Sequence, residues 1–376
     1  MIKKLVILWA SLLCAIGLPL LSTASDQPWT IERANDWYAH QPWLVGSNFI
    51  PSTAINQLEM WQADTFDLPT IDRELGWAQA LGMNTMRVFL HNLLWQQDSA
   101  GFLKRMDEFL AVAEKHHIRI MFVLLDSVWD PYPQLGKQHE PRPHVHNSGW
   151  VQAPGAGILK DPSTWDKEIK PYVTGVISHF RDDKRVLIWD LMNEPDNETE
   201  QYKQEIPNRT ELALRLIKEE WGWARSARPS QPLTSGVWQG DWSDAGLSAM
   251  ARFQLENSDV ITFHCYDSPD VMKHRIASLR RFKRPVICTE YMARPLGSTF
   301  ASILPILKQE NVGAYNWGFV SGKTQTIYPW DSWGKTYTAE PTLWFHDIFR
   351  KDGTPFDHQE IDLIKHLTGR VSANKS

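Results

Sequence analysis

Cysteine is scarce: the 376 residues contain three. Cys14 lies in an apolar stretch near the N-terminus and is preceded by Leu13, which does not suit a lipid-attachment site. Cys265 and Cys288 are then too few for a disulfide framework. Both are expected to be free, buried thiols, Cys265 pointing out of its strand and Cys288, by alternation with Glu290, pointing inward. Positive charge is also short, with 39 Lys and Arg against 44 Asp and Glu. No basic block interrupts that balance, which argues against a nucleic-acid partner. Long apolar runs are missing except for Leu5–Leu21, which follows Lys3 and Lys4 and precedes Ser22-Thr23-Ala24. That order reads as an export leader over residues 1–24, with a retained membrane anchor as the competing reading. A secreted or periplasmic, monomeric protein without stable membrane insertion is expected once the leader is removed. No glycine-rich phosphate loop follows the first strand, which argues against a doubly wound nucleotide-binding sheet. Neither an internal repeat nor a linker divides residues 25–376.

Tryptophan, by contrast, is abundant, at 19 against 9 Tyr and 15 Phe. Core filling accounts for an indole taken singly. Several of them (Trp129, Trp150, Trp238, Trp242, Trp330, Trp333) fall in loop-like contexts, where an indole face can stack on the flat C–H face of a sugar ring.

Short apolar runs alternate with amphipathic segments eight times. Strands are predicted at 43–49, 85–90, 118–125, 186–194, 233–238, 260–266, 285–291 and 312–317. Helices are predicted between them, among them 69–81, 163–180 and 302–310, with 343–350 and 360–367 at the end. The run from Ile118 to Leu125 is almost wholly apolar, as expected of a strand covered on both faces. Phe102, Met106, Phe109, Leu110 and Ala113 recur at helical spacing. This is the pattern of one α/β domain, a (β/α)8 TIM barrel with long βα loops. The longest loop, 131–160, is rich in Pro, Gly and His and carries His139, His144, His146 and Trp150.

In such a barrel the residues at the C-terminal ends of strands converge on one face. Collected in order they are Asn48, Arg87, Asp126, Asn193, Glu194, Trp238, His264, Tyr266, Glu290 and Trp317, with Trp129 in the loop after the third strand. Glu194, between Asn193 and Pro195, and Glu290 each close an apolar run. Two carboxyl groups facing one another are what cleavage of a glycosidic bond requires, one protonated and one ionised. The sequence leaves open which is which. No cofactor is called for, and the loop histidines lack a compact metal-ligand spacing.

The Asn193-Glu194-Pro195 triplet after the fourth strand and Glu290 after the seventh resemble clan A retaining glycoside hydrolases, especially glycoside hydrolase family 5 of the cellulase and mannanase type. The resemblance runs through nearly all of residues 25–376. It implies Glu194 as acid/base and Glu290 as nucleophile of a double displacement on a β-linked polysaccharide or oligosaccharide. β-Glucan or β-mannan is favoured, xylan stays open, and endo-action is expected. It further implies that Arg87 supports the nucleophile, Asn193 binds a sugar 2-hydroxyl, Tyr266 beside His264 contacts the nucleophile, and Trp317 forms a sugar platform. Two other readings stand beside it: a metal-dependent hydrolase using the loop histidines, and a carbohydrate-binding barrel without catalysis.

Overall fold

The computed structural model describes residues 27–240, 242–243 and 245–370, so the export leader expected over residues 1–24 lies outside the described residues. Eight parallel strands form one sheet: β1 (Val45–Asn48), β2 (Thr85–Phe89), β3 (Arg119–Asp126), β4 (Val186–Asn193), β5 (Leu233–Thr234), β6 (Ile261–His264), β7 (Val286–Tyr291) and β8 (Gly313–Asn316). Their order is β5-β4-β3-β2-β1-β8-β7-β6. A parallel bridge between Val237 and Phe263 joins the two outer strands and closes the barrel.

A helix lies against the barrel after each strand: α1 (Leu68–Ala80), α2 (Asn92–Lys115), α3 (Lys170–Phe180), α4 (Arg209–Ser226), α5 (Ala249–Asn257), α6 (Pro269–Arg280), α7 (Phe300–Gln309) and α8 (His358–Leu367). Local chemistry sets their ends. Asp67 caps α1 by accepting from the Thr70 amide, Pro69 stands in the first turn, and Gly82 just past the end takes φ +78°. The predicted face of α2 is buried in full, from Phe102 to Ala113.

Polarity is graded along the barrel axis. Leu44, Met121, Ile188, Val260, Ile287 and Tyr315 fill the N-terminal end as an apolar plug. Above them the interior turns polar, with Arg87, Asp190 and His264 buried. The fold therefore packs its base with apolar volume and collects charge at the strand C-termini.

Three expectations need correction. Residues 343–350 are not helical but irregular, with Phe349 bridged to Val320 and Pro355. The Arg294 guanidinium takes the carbonyls of Trp344, His346 and Asp347, the acceptors that a helix would have needed for itself. Regular pairing in β5 stops at Thr234, and the Gly236 carbonyl accepts from the Gln254 side chain. Cys288 does not share the inward direction of Glu290. The β7 pairings shift register on both sides before Glu290 and Tyr291, which breaks the alternation and puts Cys288 in the outer apolar layer with Met272 and Leu279. Both cysteines are free and buried, as expected.

Candidate active site

β4 delivers Asn193 and then Glu194, whose φ of +42° lies in the left-handed region. For a non-glycine residue followed by proline this costs on the order of 1–3 kcal/mol, the kind of strain that concentrates at functional sites. β7 delivers Glu290 from the opposite side of the barrel. Both are nearly buried, at 8% and 5% exposure. His264 from β6 stands between them, its Nδ1 2.6 Å from Glu194 Oε1 and 3.5 Å from Glu290 Oε2. One carboxylate oxygen of each glutamate and one His264 nitrogen lie within 4.8 Å of one another.

Arg87 is the hub beneath them. Its guanidinium donates to Glu290 Oε1 at 2.8 Å, Asp190 Oδ2 at 2.9 Å, Asn48 Oδ1 at 2.9 Å and Asn193 Oδ1 at 2.7 Å. Asn193 in turn donates to Asp126 at 3.0 Å, and the Trp150 indole donates to the other Asp126 oxygen at 2.7 Å. The Tyr266 hydroxyl donates to Glu290 Oε2 at 2.7 Å. Glu290 thus receives two hydrogen bonds, one from a fixed cation. Glu194 has Asn197 at 2.6 Å and His264, and no arginine.

These surroundings separate the two carboxyls. Burial pushes Glu194 up to about 7, aided by the charge of Asp196 and opposed by the Asn197 hydrogen bond and by Arg87. Burial also raises Glu290, but the Arg87 charge and the Tyr266 hydroxyl oppose it directly. When the pair holds one proton, it resides on Glu194 and the negative charge on Glu290. Burial brings His264 down to about 4, so the ring is neutral. Its Nε2 is buried without a partner. The ring proton therefore belongs on Nδ1, since an orphaned buried N–H is costlier than an unused lone pair.

A cleft of about 250 Å³ opens above the pair. Trp129, Trp150, Trp238, Trp317 and Trp330 line it together with Glu194, Glu290, Tyr266, Asn193 and Asp126. The structure thus brings all the expected site residues to one end of the barrel. Asn48, Arg87 and His264 lie behind the lining and hold the residues that form it. Three neighbours escape sequence reading. Asp190 accepts from Arg87 at 2.8 Å, and its signal was a lone carboxylate inside an apolar strand. Asn197 sits three residues past Glu194, where one turn of chain returns to the carboxyl. His346 falls in the segment expected to be helical and gave no signal.

The loop histidines do not form a ligand set. Nδ1 of His139, His144 and His146 bonds a different backbone carbonyl in each case, those of Glu140, Tyr337 and Tyr328. Among the described residues, Glu194, His264 and Glu290 are grouped closely enough to hold an ion. Arg87 already supplies positive charge to Glu290 there.

No family model matches the chain. It is 33% identical over 138 residues to a protein of Oryza sativa subsp. japonica provisionally named mannan endo-1,4-beta-mannosidase 5, a match covering 31% of this chain and 26% of that protein. The match therefore spans about a quarter of the relative's length. Among solved structures, the endo-beta-1,4-mannanase from Thermotoga petrophila superposes with a TM-score of 0.54 at 15% identity, over 88% of this chain and 78% of that one. The exo-beta-1,4-mannosidase from Opitutaceae bacterium strain TAV5 gives a TM-score of 0.55 at 17% identity, over 87% and 60%. The resemblance to family 5 glycoside hydrolases extends to the fold. At these identities the solved structures speak for the barrel alone.

Proposed function

We propose that the protein is a retaining glycoside hydrolase acting on β-mannosidic linkages, with Glu194 as acid/base and Glu290 as nucleophile. One observation carries the reading: one oxygen of each carboxyl lies within 4.8 Å of one of the other, and of the two a buried arginine touches only Glu290. Retaining enzymes hold their carboxyl groups about 5–5.5 Å apart, whereas inverting enzymes leave roughly 6.5–9.5 Å for a water. The short gap supports direct attack by Glu290 on the anomeric carbon.

In the first step Glu290 forms a bond to C1 while the C1–O bond to the leaving group breaks. The Glu194 proton passes to the departing oxygen. In the second, Glu194 takes a proton from water, whose oxygen displaces Glu290 from C1. Arg87 holds the charge on Glu290 before attack, Tyr266 donates to its other oxygen, and Trp317 offers a face to the sugar. Mannan is preferred to glucan and xylan because the three proteins compared above are named for mannan or β-mannosidic bonds.

Glu290→Ala tests the reading. Turnover of an aryl β-mannoside should fall on the order of 10⁴-fold or more. Azide should restore it by attacking C1 as the aryloxide leaves, giving an α-mannosyl azide. A variant that keeps near-normal turnover, or that azide does not rescue, would remove Glu290 from the nucleophile's role. Loss of turnover with glycan binding retained would also set aside a barrel that only binds.

A further inference from the structure

The cleft is closed at one end. The loop after β3 and the loop after β8 are tied together across the mouth of β1 and β2 by side-chain and backbone hydrogen bonds. The Asn147 amide donates to the Thr324 carbonyl at 2.8 Å, the His146 amide to Ser332 at 3.0 Å, and the His144 amide to Gln325 Oε1 at 2.8 Å. In return the Gln325 side chain donates to the Arg142 carbonyl at 2.6 Å, and the Trp333 indole donates to the His146 carbonyl at 2.7 Å. Trp333 also stacks on Trp129, with ring centroids 5.3 Å apart and 13° between planes. The result is a continuous wall from β8 round to β3.

Burial of the lining follows this wall. His146, Asn147, Trp150 and His346 are 3% exposed or less. Asn197, Thr199 and Trp238, on the side of Glu194, are partly exposed. The proton donor therefore sits by the mouth, where a leaving group departs, and the ring attacked by Glu290 occupies the closed end beside Trp317.

The closed end presents acceptors. His146 and His346 each donate Nδ1–H to a backbone carbonyl, those of Tyr328 and Met292, which leaves a lone pair on each Nε2. His346 Nε2 and Asn147 Oδ1 are buried without any partner in the protein. A chain-terminal sugar has free hydroxyls that can donate to such atoms. An internal sugar has a glycosidic oxygen, with no proton, at the linkage position, and its next ring would meet the wall. Unpaired buried acceptors make the wrong substrate costly.

Resting on the hydrolase reading above, we propose that the enzyme releases single sugars from the non-reducing ends of β-linked oligosaccharides, with terminal hydroxyls donating to His146, His346 and Asn147. This replaces the endo-action expected from the sequence. Burial keeps both imidazoles neutral, with His146 brought down to about 4 and His346 held well below its ordinary value, so the lone pairs persist across the working pH range.

The test uses the full chain on borohydride-reduced mannopentaose, cellopentaose and xylopentaose, with an aryl β-mannoside alongside. Whichever pentaose is cleaved should yield monosaccharide from the first time point and a ladder shortened one unit at a time. A methyl ether on the terminal 4-hydroxyl should slow release by more than about tenfold. Internal fragments at the first time point, or an unaffected methylated substrate, would overturn the exo-acting pocket and leave the hydrolase standing. Cleavage of none of the four would overturn the hydrolase itself.

Discussion

Glu194 and Glu290 are the same side chain in two electrostatic settings. Arg87 lies against one and not the other, and burial without a cation brings Glu194 up to about 7. The pH dependence follows. Turnover needs Glu194 protonated, so kcat/KM should fall as pH rises through about 7. It also needs Glu290 ionised, so activity should fall on acidification, beginning above the ordinary carboxylate value of 4.5 because burial raises that group. A profile measured on an aryl glycoside should be bell-shaped with its alkaline limb near neutrality. Activity that stayed flat well into the alkaline range would contradict the acid role of Glu194. The identity of the pair was legible from sequence because each glutamate closes an apolar run. Their difference was not, since it depends on Arg87 reaching a carboxylate 203 positions away along the chain.

At the scale of elements, α4 carries an unusual passenger. Its Leu212, Leu216, Ile217 and Ala224 face is apolar, and Glu220 lies on that face, fully buried with neither carboxyl oxygen partnered. Burial first, and then the nearby charge of Asp190, raises it well above 4.5, so the folded protein keeps it protonated. Unfolding releases that proton at any pH between 4.5 and the folded value. There the unfolded state binds fewer protons and stability falls as pH rises. Glu220→Gln should flatten this decline, seen as a Tm that drops less between mildly acidic and alkaline buffers than in the parent protein. Parallel Tm curves would mean that Glu220 is not neutral in the fold. The anomaly could be read in the sequence as a charge on a helix's apolar stripe. Its consequence needed the depth of the packing.

For the whole molecule, the alternation of apolar strands and amphipathic helices made the barrel and its polar end readable, because a parallel sheet covered by helices leaves few other ways to bury both faces. The tryptophans divide in a way composition does not reveal. Trp61, Trp189 and Trp344 are core, and Trp129, Trp238, Trp317 and Trp330 line the cleft. The wall escaped notice for a different reason. It rests on contacts between segments far apart in the chain, such as Gln325 to Arg142 across 183 positions, and loops without periodicity carry no local record of their partners. Asn48, though found, supports Arg87 from behind and does not line the cleft.

The central claim is chemical: Glu290, and not a water, attacks the anomeric carbon. Proton NMR of the first product formed from a β-linked mannoside, recorded before mutarotation, tests it most directly. The account predicts that the β-anomer appears first and the α-anomer only later, by equilibration. An α-anomer at the earliest time point would mean a single displacement by water, and would contradict it.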